Sequence, residues 1–493
     1  MFLFRRVHCW FAVFAVAGFG LQGLVSNTGA LSVLFVDLPF PIPYINGRTF
    51  HVNVGIYWIF SGLISGILYY FTPISKKRSN YFTAAIFLLY SFGAMLIQGI
   101  LALHFTVIRE YLEGPVTLRA FLLIPLAMLS YYLLRSIGET VKEQGRIISL
   151  SIACGVVLLT AFYGTTVYYY TNPGLAEYQR FLTFHIGVES SAELISLGLT
   201  GLLLTRLAGI ERTEVAFIIF GTICVAVLAM LTASAGYLIW PGNWLVAALA
   251  GIGFSMLHLL SAAAFFVLLI KAIQNGLVKK SDYRSVISLT LTASSLLYHI
   301  IGAALLGLFL AYPATHQYIK GTYIVSAHSH LALFGVFGFL ALSVAVSVLL
   351  EFVSLSKNEN RRCLGGILLL HGGMLTMAVG LILAGGLQAY LLRVLNVDMS
   401  LTDVVLRPYL FLRIGGGILY MLGSLLVAYT ILKTVWQQRE VVFGYGSSNQ
   451  GSRNCLYKSY KKLLQKQNEL IPVIQRITIL QKIQAVLHKL AKR

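Results

Sequence analysis

The feature that most constrains this chain is a repeated length. Apolar runs of about twenty residues or more recur along most of the sequence, separated by short polar breaks. About 20 apolar residues in a helix cross the hydrocarbon of a bilayer. Twelve such runs are counted: roughly 7–36, 51–73, 81–106, 119–136, 147–169, 181–206, 214–240, 244–272, 285–312, 324–351, 365–393 and 408–434. Inside a bilayer every backbone N–H and C=O must be satisfied internally, and long continuous runs do this as helices. The expected fold is all-α, a polytopic membrane bundle of twelve transmembrane helices over 1–435, followed by a basic tail over 436–493. Only 11% of the chain is charged, about half the fraction of a soluble domain.

The polar breaks alternate in sign. Lys76-Lys77-Arg78, 135–146, 206–212, 271–284 and 357–362 are basic, and the breaks between them are poorer in Lys and Arg. This is the positive-inside pattern, so the net charge of +20 does not call for nucleic acid. The partner it implies is the lipid bilayer. With twelve spans both termini fall on the cytoplasmic side. The first run follows Arg5-Arg6 and is too long for a signal-peptide core, so it reads as a retained span. The five cysteines are scattered and form no C-x-x-C pair and no disulfide framework. After a Gly/Ser/Asn stretch at 444–451, the tail mixes Lys and Arg with Leu, Ile and Val at near-helical spacing. That pattern fits an amphipathic helix on anionic lipid, with a partner-docking helix as the other reading.

Ionisable groups inside such spans are costly and are functional candidates by default. The most telling are His328 and His330, two residues apart within the run 324–350. On a helix, positions i and i+2 lie about 200° apart, so the two imidazoles face nearly opposite sides. His51 opens the second run, and His185, Glu189 and Glu193 share one face of the sixth at i, i+4 and i+8. His258, His299 and His371 lie in runs eight, nine and eleven. Axial histidines hold haem iron. His51 and His330 would ligate one haem from two helices. His328, facing away, would hold a second haem with an open position opposite His185 and Glu189.

These residues together resemble the haem–copper oxidase superfamily, and within it the large subunit of nitric oxide reductase. The likeness covers about 45–430. It is carried by Arg48-Thr49-Phe50-His51-Val52-Asn53, by Arg109-Glu110-Tyr111-Leu112-Glu113, and by His185-Ile186-Gly187-Val188-Glu189 with Glu193. Further support comes from Gly321-Thr322 followed by Ala327-His328-Ser329-His330-Leu331-Ala332, with Ser329 where the family has glycine, and from Ala384-Gly385-Gly386-Leu387-Gln388 and Arg413. The resemblance implies roles. His51 and His330 would ligate low-spin haem b, and His328 high-spin haem b3. His185 and Glu189 would bind a non-haem iron, with Glu193 in an inner polar network. Glu110, with the carbonyl of Gly62, would stand where the family holds calcium. The implied reaction reduces NO to N2O, with Glu189 and Glu193 as proton donors, in a bacterial cytoplasmic membrane.

One departure bears on the metal. The family's histidine pair on the seventh span falls on Gly236-Tyr237 here, and no histidine occurs between His185 and His258. At the glutamate position of the segment resembled by Phe254-Ser255 stands His258. His185, Glu189 and His258 would make a two-His, one-carboxylate set suited to ferrous iron; the alternative is a histidine merely hydrogen-bonded within the membrane. Function is accordingly open between an NO- or O2-reducing oxidoreductase and a non-catalytic haem protein for electron transfer or gas sensing. A proton-coupled transporter leaves His51 and the His328/His330 pair unexplained. No C-x-x-C-H haem attachment is present, so electrons would come from a separate cytochrome c subunit or from quinol.

Overall fold

The computed structural model describes residues 6–34, 44–71, 77–103, 112–168, 170–238, 244–279 and 282–444, the side chains of 185–186, 229–238, 244–252 and 254–258 among those excepted. The described residues are helical almost throughout. In chain order come α1 (Val7–Leu34), α2 (Tyr44–Phe71), α3 (Lys77–Ala102), α4 (Val116–Gln144), α5 (Arg146–Thr165) and α6 (Pro173–Phe181). A π-helical turn, Leu182–Val188, leads into α7 (Glu189–Leu207), followed by α8 (Arg212–Leu238), α9 (Trp244–Gln274) and α10 (Tyr283–Tyr298). A second π turn, His299–Leu305, precedes α11 (Leu306–Ala311), α12 (Pro313–Ile319) and α13 (Tyr323–Ser329). A third, His330–Gly338, joins α13 to α14 (Phe339–Leu349); then come α15 (Lys357–Ala389), a short π turn, α16 (Met399–Gln437) and α17 (Arg439–Phe443).

Over its described residues, each of the twelve apolar runs is mainly helix or a helix pair continued through a π turn. Ten of them, among the described residues, are long and apolar enough to cross a membrane. The compact unit extends to Phe443, and Val442 and Phe443 of α17 are buried. The tail beyond residue 444 lies outside the described residues.

Helix contacts are set by small residues and hydroxyls rather than by a solvent-driven core, as expected where lipid is as apolar as leucine. Gly366, Gly373, Gly416 and Gly423 let α15 and α16 approach backbone to backbone. A Cβ at Gly62 would lie 2.7 Å from the carbonyl of Ala341, which seats α2 on α14. The start of α1 is tied to α17: Arg6 donates to the carbonyls of Val441 and Val442 and lies over the ring of Phe352 at 4.1 Å.

Candidate haem site

The helix carrying His328 and His330 is fixed at its start. Thr322 caps α13, its hydroxyl accepting from Ile324 N–H. Gln388 on α15 accepts the Tyr323 N–H at 3.0 Å. The α-helix then gives way to the π turn at His330, an irregularity frequent at functional sites.

His330 donates from Nδ1 to the Ser326 carbonyl at 2.7 Å, and His328 from Nδ1 to the Gly302 carbonyl at 2.9 Å. A carbonyl only accepts, so in both rings the proton sits on Nδ1 and Nε2 keeps its lone pair. This is how a ligating histidine is held by its outer hydrogen bond. The two rings bond to different partners, Ser326 in their own helix and Gly302 across the bundle, as expected for i and i+2.

His51 stands opposite His330. The ring centroids are 6.1 Å apart and the planes differ by 24°. Two imidazoles bonded to one metal at about 2.0 Å, each nitrogen about 1.1 Å from its ring centre, place the centroids about 6.2 Å apart. The spacing therefore fits a shared iron. Both rings line a cavity of about 320 Å³ bounded by α1, α2, α13, α15 and α16. Nδ1 of His51 is buried without a hydrogen-bond partner among the described residues, so this ring, unlike those of His328 and His330, is not held by an outer hydrogen bond. Arg48 and Arg413 reach the same cavity and would suit the two carboxylates of a haem. The residues present fit a bis-histidine haem.

Beyond His328 the picture is different. Glu193 faces His299, with Oε1 3.7 Å from Nε2 and both side chains largely buried. His299 opens the second π turn, and Gly302, which orients His328, lies one turn further on. The resemblance implies a polar network around Glu193 but does not supply His299 as its partner. Glu189 begins α7 and is exposed within the bundle as it stands. The side chains of His185, His258, Gly236 and Tyr237 lie outside the described residues, as do Glu110 and His104. Among the described residues no group of three or more His, Cys, Asp or Glu is gathered as a metal site. The described residues therefore do not by themselves make a non-haem iron centre.

Gly62 lies in the middle of α2, eleven residues from His51 (62 − 51), or about 16 Å along the axis. Its carbonyl accepts the Ser65 hydroxyl at 2.6 Å, and its missing side chain serves the contact with Ala341. A buried polar contact missed from sequence lies nearer the cavity: Asn53 donates to Glu113 at 3.3 Å, and Glu113 is buried. His371 bonds across helices to Ser294 at 2.8 Å and Tyr298 at 3.0 Å.

A twelve-helix membrane bundle with paired histidines across one cavity and a third facing away defines a class, the large haem-carrying polypeptides of the haem–copper oxidases. The chain belongs to the family described as cytochrome c and quinol oxidase polypeptide I, whose profile matches residues 6–419. It is 22% identical over 446 residues to a nitric oxide reductase subunit from Stutzerimonas stutzeri, covering 85% of this chain and 92% of that one. A heme-copper terminal oxidase dimer solved by cryo-EM shares the fold, with a TM-score of 0.62 at 13% identity over 87% of this chain and 84% of that chain.

Proposed function

We propose that the chain is a membrane dihaem oxidoreductase that reduces NO to N2O, or is a divergent relative reducing NO or O2. The observation that carries this is the His51–His330 pair across the cavity, with His328 held the other way by Gly302. Low-spin haem b would be held by His51 and His330, with Arg48 and Arg413 at its carboxylates, and high-spin haem b3 by His328. When bound, the haems supply electron transfer and a site for the gas. The protein's own part is to aim the ligand nitrogens through Ser326 and Gly302, keep water out, and move protons. Glu193 and His299 form a proton-holding pair in a low-dielectric setting. Electrons would come from a cytochrome c subunit or quinol. Both termini would be cytoplasmic in a bacterial inner membrane.

A second reading is supported by the chain itself: Gly236 and Tyr237 stand where the family has metal-binding histidines. On that reading the chain carries electrons or senses a gas without turnover. Haem and total iron per chain, then NO and O2 consumption with a reduced donor, separate the two. Two haems with turnover support the enzyme; two haems without turnover support the carrier. Absence of a Soret band rules out both. In the same assay His51→Ala or His330→Ala should remove the low-spin haem alone, and His328→Ala the high-spin haem alone.

A further inference from the structure

Tyr429 and Trp436 stand seven residues apart on α16, so they share one face, and they are 60% and 70% exposed. Large aromatic side chains with one apolar and one polar end suit a boundary between apolar and wet surroundings. Each of these rings carries a cation. Lys433 Nζ lies 5.7 Å from the centroid of Tyr429, and the Arg439 guanidinium carbon 5.2 Å from that of Trp436. Both distances fall within the reach of a cation–π contact. Arg439 also donates to the Trp436 carbonyl at 3.3 Å. It begins α17, which is pinned by the stack of Trp10 on Phe443, with centroids 4.2 Å apart. The outcome is a ladder of ring and cation along one side of the helix end.

Its depth follows from α15. Gly366 meets Gly423 backbone to backbone, and Glu359 accepts the Thr434 hydroxyl at 3.1 Å, so the first turns of α15 run beside the last turns of α16. Those first turns hold Lys357, Arg361 and Arg362, charges that mark where α15 leaves the hydrocarbon. With Lys433 and Arg439 they make five cations against Glu359 and Glu440 over 356–362 and 429–440. Glu359 is already committed to the Ser356 N–H and to Thr434. Tyr429 to Trp436 spans about 10 Å of helix, comparable with the roughly 5–8 Å of headgroup layer on each side of a bilayer. Toward the bilayer centre the same stripe continues as Leu422 and Ile418, both exposed. The face is apolar where acyl chains lie and cationic where phosphates lie.

We propose that this ladder is a binding site for one anionic phospholipid, its phosphate held between Lys433 and Arg439 and its chains along Leu422 and Ile418. Positive charge at the ends of spans sets topology, and that role needs no ring beneath each charge. A cation resting on an aromatic face has already given up side-chain freedom that binding would otherwise cost, so the site is ordered in advance. A zwitterionic headgroup brings its own ammonium against these cations, which selects a headgroup of net negative charge. The same repulsion disfavours a basic protein segment, and the sequence after 444 is basic, with Glu469 its only acid.

No residue of the ladder lines the haem cavity, and the site stands whether or not the haem reading does. The full-length protein is placed in phosphatidylcholine nanodiscs with a trace of phosphatidylglycerol or phosphatidylcholine carrying the same photoactivatable acyl chain. After irradiation and digestion with pepsin, lipid adducts are mapped by mass spectrometry. Adducts on 418–443 should be about tenfold more abundant with phosphatidylglycerol. Lys433→Gln and Arg439→Gln should each lower that labelling about fivefold, the worth of one charge beside anionic lipid. The double variant Tyr429→Leu/Trp436→Leu leaves the charge unchanged and should lower it about threefold, which topological charge alone would not do. Labelling around Arg135 on α4 should stay constant throughout. Equal labelling of 418–443 by the two lipids overturns the site, as does phosphatidylglycerol labelling that neither charge variant reduces. No adduct there from either lipid assigns the face to a protein neighbour and overturns it too. If a variant fails to fold, the two-lipid comparison on the unaltered protein decides.

Discussion

At the residue scale the chain's chemistry depends on which nitrogen of each histidine is tied down. His328 and His330 are committed through Nδ1 to backbone carbonyls, and backbone acceptors are unaffected by side-chain replacement. Exchanging Ser326 for alanine should therefore leave the haem spectrum unchanged, whereas exchange of either histidine should not. His299 is placed differently, since its partner Glu193 is a side chain. His299→Phe should slow gas reduction by about 100-fold, the usual worth of one positioned proton donor, with haem content unaltered. A fall in haem content alongside turnover would mean that His299 supports the fold instead. This pairing was not legible in the sequence. The residues are 106 positions apart (299 − 193), and no helical period connects separate spans. His51, His328 and His330 could be singled out from sequence because an imidazole within an apolar run stands out by its cost.

At the element scale the π turns and the helix starts matter most. Four π turns, among the described residues, begin at Leu182, His299, His330 and Tyr390, and hydropathy could not reveal them, since one extra residue per turn leaves an apolar run just as apolar. The start of α13 depends on α15. A Cβ at Gly385 would collide with the Ile324 backbone, whereas one at Gly386 meets nothing within 4 Å. Gly385→Ala should destabilise by about 1–3 kcal/mol, as overpacking does, and perturb the low-spin haem spectrum. Gly386→Ala should do neither, and equal thermal stability of the two variants would refute the contact. The start of α16 responds to pH. Asp398 accepts the Ser400 hydroxyl and backbone N–H, which hold its carboxyl below the ordinary 3.8. Because the folded value is the lower one, this cap contributes fully above the ordinary value and is lost as pH falls through the folded one. Amide exchange at Ser400 should accelerate across that acid window in the native chain and be pH-independent, beyond the intrinsic rate, in Asp398→Ala.

At the scale of the whole molecule the twelve spans were legible from hydropathy alone. The burial of Val442 and Phe443 was not, because it depends on where α17 lands. Arg6 secures that landing by bridging the chain's beginning to Val441, Val442 and Phe352. Arg6→Ala should expose the 437–444 segment to protease and cost about 1 kcal/mol, the net worth of a hydrogen bond. Unchanged cleavage there would show that the bridge carries no weight. The haem cavity has a related property. Its walls come from α1 and α2 at one end of the chain and from α13, α15 and α16 at the other. A ribosome delivers these in order, so Gln22 and His51 wait in the bilayer through the synthesis of more than three hundred residues before Arg413 and Tyr420 arrive to enclose them. Haem loading at this site is then an event of late assembly. A chain stopped after 395 should insert its earlier spans normally yet retain no low-spin haem, which would make the cofactor a report that synthesis has run to completion.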